Sequence, residues 1–190
     1  MRNFEDDLIP ALWGMWLLYW CIAALTAKPV RRRESVVSGL SHMVPLCIGI
    51  ALLLPSHFPN MTLSTRFLPR SGTGFWTGAG LVAAGLLFSV AARRSLGGNW
   101  SGSVTVKQDH TLTRDGPYRF VRHPIYTGLL LAIPGSVIAA GEVRGLLALG
   151  LIAVALRRKI SIEEQFLLEQ FGPAYARYCQ EVAALIPGVL

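Results

Sequence analysis

Five apolar runs, at residues 8–27, 36–54, 74–92, 124–140 and 143–156, constrain this chain more than anything else in it. Crossing a hydrocarbon layer takes roughly 20 helical residues, and lipid offers the backbone no hydrogen-bond partners, so runs of this kind read as membrane helices. The last two are short and only Gly141 and Glu142 separate them, which predicts a tight antiparallel hairpin. With 52% hydrophobic and 15% charged residues among 190, the chain is greasier than a soluble domain of that size needs to be. The expected fold class is all-α: a polytopic membrane protein with about five transmembrane helices and a cytoplasmic C-terminal helical cap. Residues 1–92 would hold the first three spans, and residues 93–190 a loop, the hairpin of the last two runs and the C-terminal helices.

The basic residues predict the orientation. Of 18 lysines and arginines, 14 fall in segments 28–35, 93–123 and 157–190, leaving Arg2, Arg66, Arg70 and Arg144 opposite. The positive-inside rule makes the rich side cytoplasmic and puts the N-terminus, with Glu5, Asp6 and Asp7, outside. A bacterial inner membrane is the expected residence. The net charge of +7 is spread over three separate loops, which fits topology and anionic lipid better than nucleic acid. An acidic leader and a long first run argue against a cleaved signal. Cys21, Cys47 and Cys179 form neither a disulfide framework nor a metal spacing and are expected as packing residues.

Along the first three spans the expectations are structural. Trp13, Trp16, Tyr19 and Trp20 recur at helical spacing, as lipid or packing contacts do. Pro45 should kink or loosen the second span, and His42, near its end, is expected as a hydrogen-bonded structural histidine. The loop 55–72 offers no chemistry beyond a glycosylation acceptor at Asn60-Met61-Thr62. Gly78-Ala79-Gly80-Leu81-Val82-Ala83 formally matches a dinucleotide fingerprint but lacks the strand before it, so it is rejected. Gly80, Ala84, Gly85 and Ser89 instead supply small faces for close helix packing. Beyond Arg93 a glycine-rich loop carries Trp100, an interfacial anchor or a wall of a site. Residues 104–107 and 111–113 are spaced for a short hairpin, marginal without support.

The polar stretch from Leu112 to Gly128 concentrates the reactive groups. Asp115-Gly116-Pro117 signals a turn. Pro124 suits the first turn of a helix, which puts His123 near its N-cap, and free amides at that start favour an anion or a carboxylate. Tyr126 projects from the first turn, and Gly128 admits a close backbone or a flat ligand. An interfacial collar of Arg119, Arg122, His123, Tyr118 and Tyr126 explains the same residues equally well. After the fifth run the chain turns polar, and Ile160, Phe166, Leu167 and Phe171 keep a helical period. Gly172 can close that helix and Pro173 open another, carrying Tyr175, Tyr178 and Glu181. Lys159 and Glu163 are four apart and share a face. Glu163 and Glu164 lie one or two turns past a membrane exit, on the side that holds His123.

Residues 96–102 (LGGNWSG), residues 116–128 (GPYRFVRHPIYTG), Glu163-Glu164 and residues 171–178 (FGPAYARY), in that order, resemble the isoprenylcysteine carboxyl methyltransferase family of integral membrane enzymes. The likeness covers roughly residues 93–187. It implies a methyltransferase that uses S-adenosylmethionine without a Rossmann domain, its cofactor held at the cytoplasmic side. His123, Pro124, Tyr126 and Gly128 match one block, and Glu163 and Glu164 the other. Tyr118, Tyr175 and Tyr178 join them as cofactor-side residues. Arg158, Lys159 and Glu164 are the catalytic candidates, because the family usually has an arginine where Lys159 stands, and lysine keeps the charge without the bidentate fork. No metal is implied. The implied partners are a lipophilic or prenylated substrate and membrane lipid, with the carboxylate of an isoprenylated cysteine as leading acceptor. Phospholipid N-methylation, a sterol-reductase-like oxidoreductase and a non-catalytic membrane partner are the alternatives.

Overall fold

The computed structural model describes residues 4–54, 62–100, 105–107 and 111–188. Asn60, and with it the glycosylation acceptor, lies outside the described residues, as do Ser101 and Gly102. Six α-helices make up most of the described chain: α1 (Phe4–Ala24), α2 (Val36–Leu53), α3 (Gly72–Leu96), α4 (Pro124–Ala140), α5 (Val143–Phe171) and α6 (Pro173–Glu181). Two short strands, β1 (Val30–Arg33) and β2 (Thr105–Lys107), pair antiparallel with a bulge between Val30 and Arg32. The strand expected to pair with residues 111–113 therefore finds its partner between α1 and α2, which ties two connections at one end of the bundle together.

Length and composition qualify three helices to cross a membrane, α1, α2 and α3 with the turn that follows it. Against the five expected, α4 is shorter at 17 residues. The 29-residue α5 changes character after Leu156, where Arg157, Arg158 and Lys159 follow. The outward faces are apolar: Leu17, Leu18, Ile22, Leu40, Leu87 and Val154 are all exposed. A water-soluble surface does not carry apolar area on that scale, and lipid is the solvent that matches it. This is a membrane protein.

Glycines set the closest helix pair. Gly78 and Gly85 on α3 face Gly135 and Gly128 on α4, and a Cβ on Gly85 would stand 2.4 Å from the Gly128 carbonyl oxygen. Each pair of glycines is seven residues apart, two helical turns, so both contacts fall on one antiparallel seam. Gly80, expected on this seam, faces open space, and Gly78 takes its place. α1 leans on α3 and α4 through Trp16, whose indole N–H donates to Ser89 Oγ at 2.7 Å, and Trp13, whose indole donates to Ser136 Oγ at 3.0 Å. Each satisfies a polar atom that lipid could not. α2 packs on α5, with Gly49 against Ile152 and Ala148. Pro45 lies inside α2, which runs unbroken. Cys21 and Cys47 are exposed rather than packed, and only Cys179 is partly covered.

The hairpin of α4 and α5 turns on Gly141 in the left-handed region at φ 65°, its N–H bonded to the Val137 carbonyl at 2.7 Å. At the opposite end Arg93, almost wholly buried, donates to the carbonyls of Ala23 and Gly97 and lies 4.8 Å over the Trp100 ring. That end gathers the close of α1, the start of α2, the loop after α3, the start of α4 and the polar extension of α5.

Candidate active site

The site is built at the start of α4. Gly116 at φ 58° permits the 3-10 turn Gly116–Arg119, which delivers Arg122 and His123 to the helix entrance. Pro124 occupies the first turn and His123 the N-cap, as the sequence predicts, though the imidazole caps no amide. Residues after α6 run alongside. Arg122 N–H donates to the Ala183 carbonyl at 2.8 Å and His123 N–H to the Ala184 carbonyl at 3.0 Å, while the Thr127 hydroxyl bonds the Leu185 carbonyl at 2.8 Å. These bonds tie the segment before α4 to the segment after α6 and fix the helix entrance.

The polar extension of α5 brings Glu163 and Glu164 against that entrance. Glu164 Oε1 accepts from Arg122 Nε at 2.9 Å and lies 2.9 Å from Arg122 Nη2 and 3.1 Å from His123 Nε2. Burial pushes the Glu164 carboxyl up, but the bonds and charges of His123 and Arg122 outweigh that and hold it below the ordinary carboxylate range. Burial works against the Arg122 charge, and the Glu164 carboxylate more than restores it. Glu163 accepts from the Tyr126 hydroxyl, and its other oxygen lies 3.7 Å from His123 Nδ1. His123 and Tyr126, three residues apart at the first turn, stack at 5.8 Å. Lys159, one turn before Glu163 and buried, places its ammonium 5.7 Å from the Tyr126 ring centroid.

Behind this cluster lies an aromatic foundation. Tyr175, Tyr178 and Val182 form a buried core with Leu112, Leu167 and Phe171. The Tyr178 hydroxyl donates to the Tyr118 carbonyl, and Arg122 Nη1 donates to the carbonyls of Cys179, at 3.1 Å, and Val182. Burial raises the Tyr118 and Tyr175 phenols and pushes Tyr178 up to about 12. These phenols stay neutral at any working pH.

His123, Tyr126, Lys159, Glu163 and Glu164 are therefore brought together, with Tyr118 beside them. The five other expected residues stand elsewhere. Gly128 faces Gly85 across the α3 seam, not a ligand. Arg158 is exposed and reaches Ser41 at 3.3 Å, so of the two candidate cations Lys159 joins the cluster. Tyr175 and Tyr178 support the cluster from behind, and Pro124 is buried at the helix start. Arg122, read only as part of a collar, is the residue that sequence reasoning undervalued. The available signal was its place beside His123, where an α5 carboxylate that meets one must meet the other.

The cluster opens into a cavity of about 1400 Å³ between α1, α2, α4 and α5. Tyr118, His123, Tyr126, Lys159 and Glu163 line its polar end, and Trp100 walls it there. Trp13, Leu46, Ile133 and Ile152 line the apolar middle. Glu164, Tyr175 and Tyr178 are not in its wall.

The sequence profile of the phospholipid methyltransferase family matches residues 73–174, just over half the chain. A protein-S-isoprenylcysteine O-methyltransferase of Schizosaccharomyces pombe is 31% identical over 111 residues, 57% of this chain and 47% of that protein. One from Saccharomyces cerevisiae is 28% identical over 194 residues, covering 98% of this chain and 80% of its own length. A methanethiol S-methyltransferase of Bradyrhizobium diazoefficiens is 39% identical over 71 residues, 37% of this chain and 24% of that protein. The chain thus spans less than half the length of the Schizosaccharomyces and Bradyrhizobium relatives.

Proposed function

The chain belongs to the phospholipid methyltransferase family, and on that premise we propose that it transfers a methyl group from S-adenosylmethionine to a lipophilic acceptor, the carboxylate of an isoprenylated cysteine or a similar amphiphile. One observation carries the reading: Arg122, His123 and Glu163, braced by Glu164 behind them, line one end of a cavity whose middle is apolar and lies among membrane helices. A charged donor has its place at that polar end, and a greasy acceptor tail in the apolar middle.

The donor set fits S-adenosylmethionine. Its ammonium calls for a carboxylate in the wall, which Glu163 supplies, and its sulfonium calls for aromatic faces, which Tyr126, Tyr118 and Trp100 supply. Glu164 lies outside the wall and acts as the strut that fixes Arg122 and His123. When bound, the cofactor supplies an electrophilic methyl group on a positive sulfur. An acceptor carboxylate is already ionised at neutral pH, so the chain need not remove a proton from it. Its residues align and exclude water instead: Lys159 faces the acceptor carboxylate, His123 and Tyr126 shape the first turn of α4, and the apolar walls keep the chamber dry. At about 1400 Å³ the cavity exceeds the roughly 300–1,000 Å³ of an ordinary single-ligand pocket, which supports joint occupancy by cofactor and lipid tail. The site faces the cytoplasm in this reading, because it lies at the end where 14 of 18 basic residues gather.

The test is transfer of a radiolabelled methyl group to a panel of acceptors. An S-prenylcysteine with a free carboxylate should accept label at a rate flat in pH from about 6 to 8. Label only on an amine phospholipid, at a rate that rises as the amine loses its proton, would make the protein an N-methyltransferase instead.

A further inference from the structure

Glu34, just before α2, and His42, within it, form a second buried ionisable pair, which the site as drawn does not use. Glu34 follows directly on β1, and Ser35 caps α2, its hydroxyl accepting from the Ser38 amide at 3.2 Å. The Glu34 carboxylate folds back over the first turn of the helix, where the Ser38 hydroxyl donates to Oε2 at 2.9 Å. Its Oε1 lies 3.6 Å from His42 Nε2, and the two side chains are only 6% and 2% exposed. Ionisable groups are seldom buried this deeply without a partner whose charge they answer.

The partner is on α5. Arg158 Nε reaches Ser41 Oγ at 3.3 Å, which sets the register of the two helices. The helices run antiparallel, with Gly49 on Ile152, and two turns back along α2 and two turns on along α5 bring the buried His42 opposite the buried Lys159. On its other side the Lys159 ammonium lies 5.7 Å from the Tyr126 ring centroid. An ammonium on a four-carbon stem is flexible, so a carboxylate on each side, Glu163 one turn along its own helix and Glu34 behind His42, gives it a fixed place.

Resting on the reading that Lys159 meets the acceptor carboxylate, we infer that Glu34 and His42 are positioning residues that hold the Lys159 ammonium toward the acceptor. They touch neither cofactor nor substrate. α2 is thereby part of the active site as well as of the membrane scaffold.

The test uses the full chain in detergent or lipid nanodiscs. Glu34→Gln and His42→Asn should each raise the KM for an S-prenylcysteine about tenfold, with Kd for S-adenosylmethionine within about twofold of wild type. In a Lys159→Met background Glu34→Gln should change that KM by less than about twofold, because its effect runs through the lost ammonium. Equal effects in both backgrounds, or none in the wild-type background, overturn the proposal. A second readout needs no turnover: acylation of Lys159 by a small amine reagent, followed by mass spectrometry, should rise at least about fivefold in Glu34→Gln and return toward wild type in Glu34→Asp. Unchanged acylation overturns the proposal. A wild-type chain that methylates no carboxylate would overturn the function proposed above, while the acylation result would still decide whether the pair holds Lys159.

Discussion

Glu164 is where the site depends most on a single side chain, because Arg122 and His123 both end on one of its oxygens. Glu164→Gln would leave the largely buried Arg122 without its counter-charge, and a loss of about 1–2 kcal/mol of stability is expected once partial exposure is allowed for. The pH dependence follows from the depressed carboxyl. The folded state prefers ionised Glu164, so its stabilisation is complete above the ordinary carboxylate range and is lost as pH falls through the lower folded value beneath that range. Thermal melts of wild type and Glu164→Gln in detergent should therefore converge in acid and differ most near neutrality. A constant gap at every pH would contradict this account of the pair. His123, Glu163 and Glu164 were legible in the sequence because a proline at a helix start and adjacent carboxylates past a membrane exit are local patterns. Arg122 was not, since a basic collar and a buried ion pair look alike until the partner helix is placed. Gly128 was misleading for a related reason: the missing side chain that admits a ligand admits a neighbouring helix just as well.

At the scale of elements, the α3–α4 seam decides how firmly the site is held, since α4 carries His123 and Tyr126 at its start. Gly85→Ala would drive a Cβ to 2.4 Å from the Gly128 carbonyl oxygen, and the backbones must separate to receive it. About 1–3 kcal/mol of destabilisation is expected, seen as a lower melting temperature. Gly80→Ala, with nothing within 4 Å of the new Cβ, should be neutral or slightly stabilising through helix propensity. Equal effects of the two substitutions would contradict the seam. The small-residue face was readable from composition, but which glycines lie on it was not. Gly78 and Gly80 differ by about 200° around the helix, and only the facing helix selects between them. The β1–β2 pairing was beyond reach for another reason: its partners lie on either side of two whole helices, and a four-residue basic segment gives no period to read.

For the whole molecule, the apolar runs predicted a bundle in a membrane, and α1 to α4 fall within a few residues of where hydropathy put them, while α5 runs on well past its apolar stretch to Phe171. Of the five expected spans, length and composition alone qualify three, since α4 is apolar but only 17 residues long and α5 turns basic after Leu156. The start of α4 and the polar extension of α5 converge at the site, with Lys159, Glu163 and Glu164 lying inside a helix that is also a membrane element. The central claim is that this convergence encloses a sulfonium cofactor. Calorimetric titration of the purified chain with S-adenosylmethionine tests it most directly. Saturable binding is predicted for wild type, weakened at least about tenfold in both His123→Ala and Glu163→Gln, as expected for loss of a charge-assisted contact or its support. Binding of equal strength in all three proteins, or none in the wild type, would contradict the account.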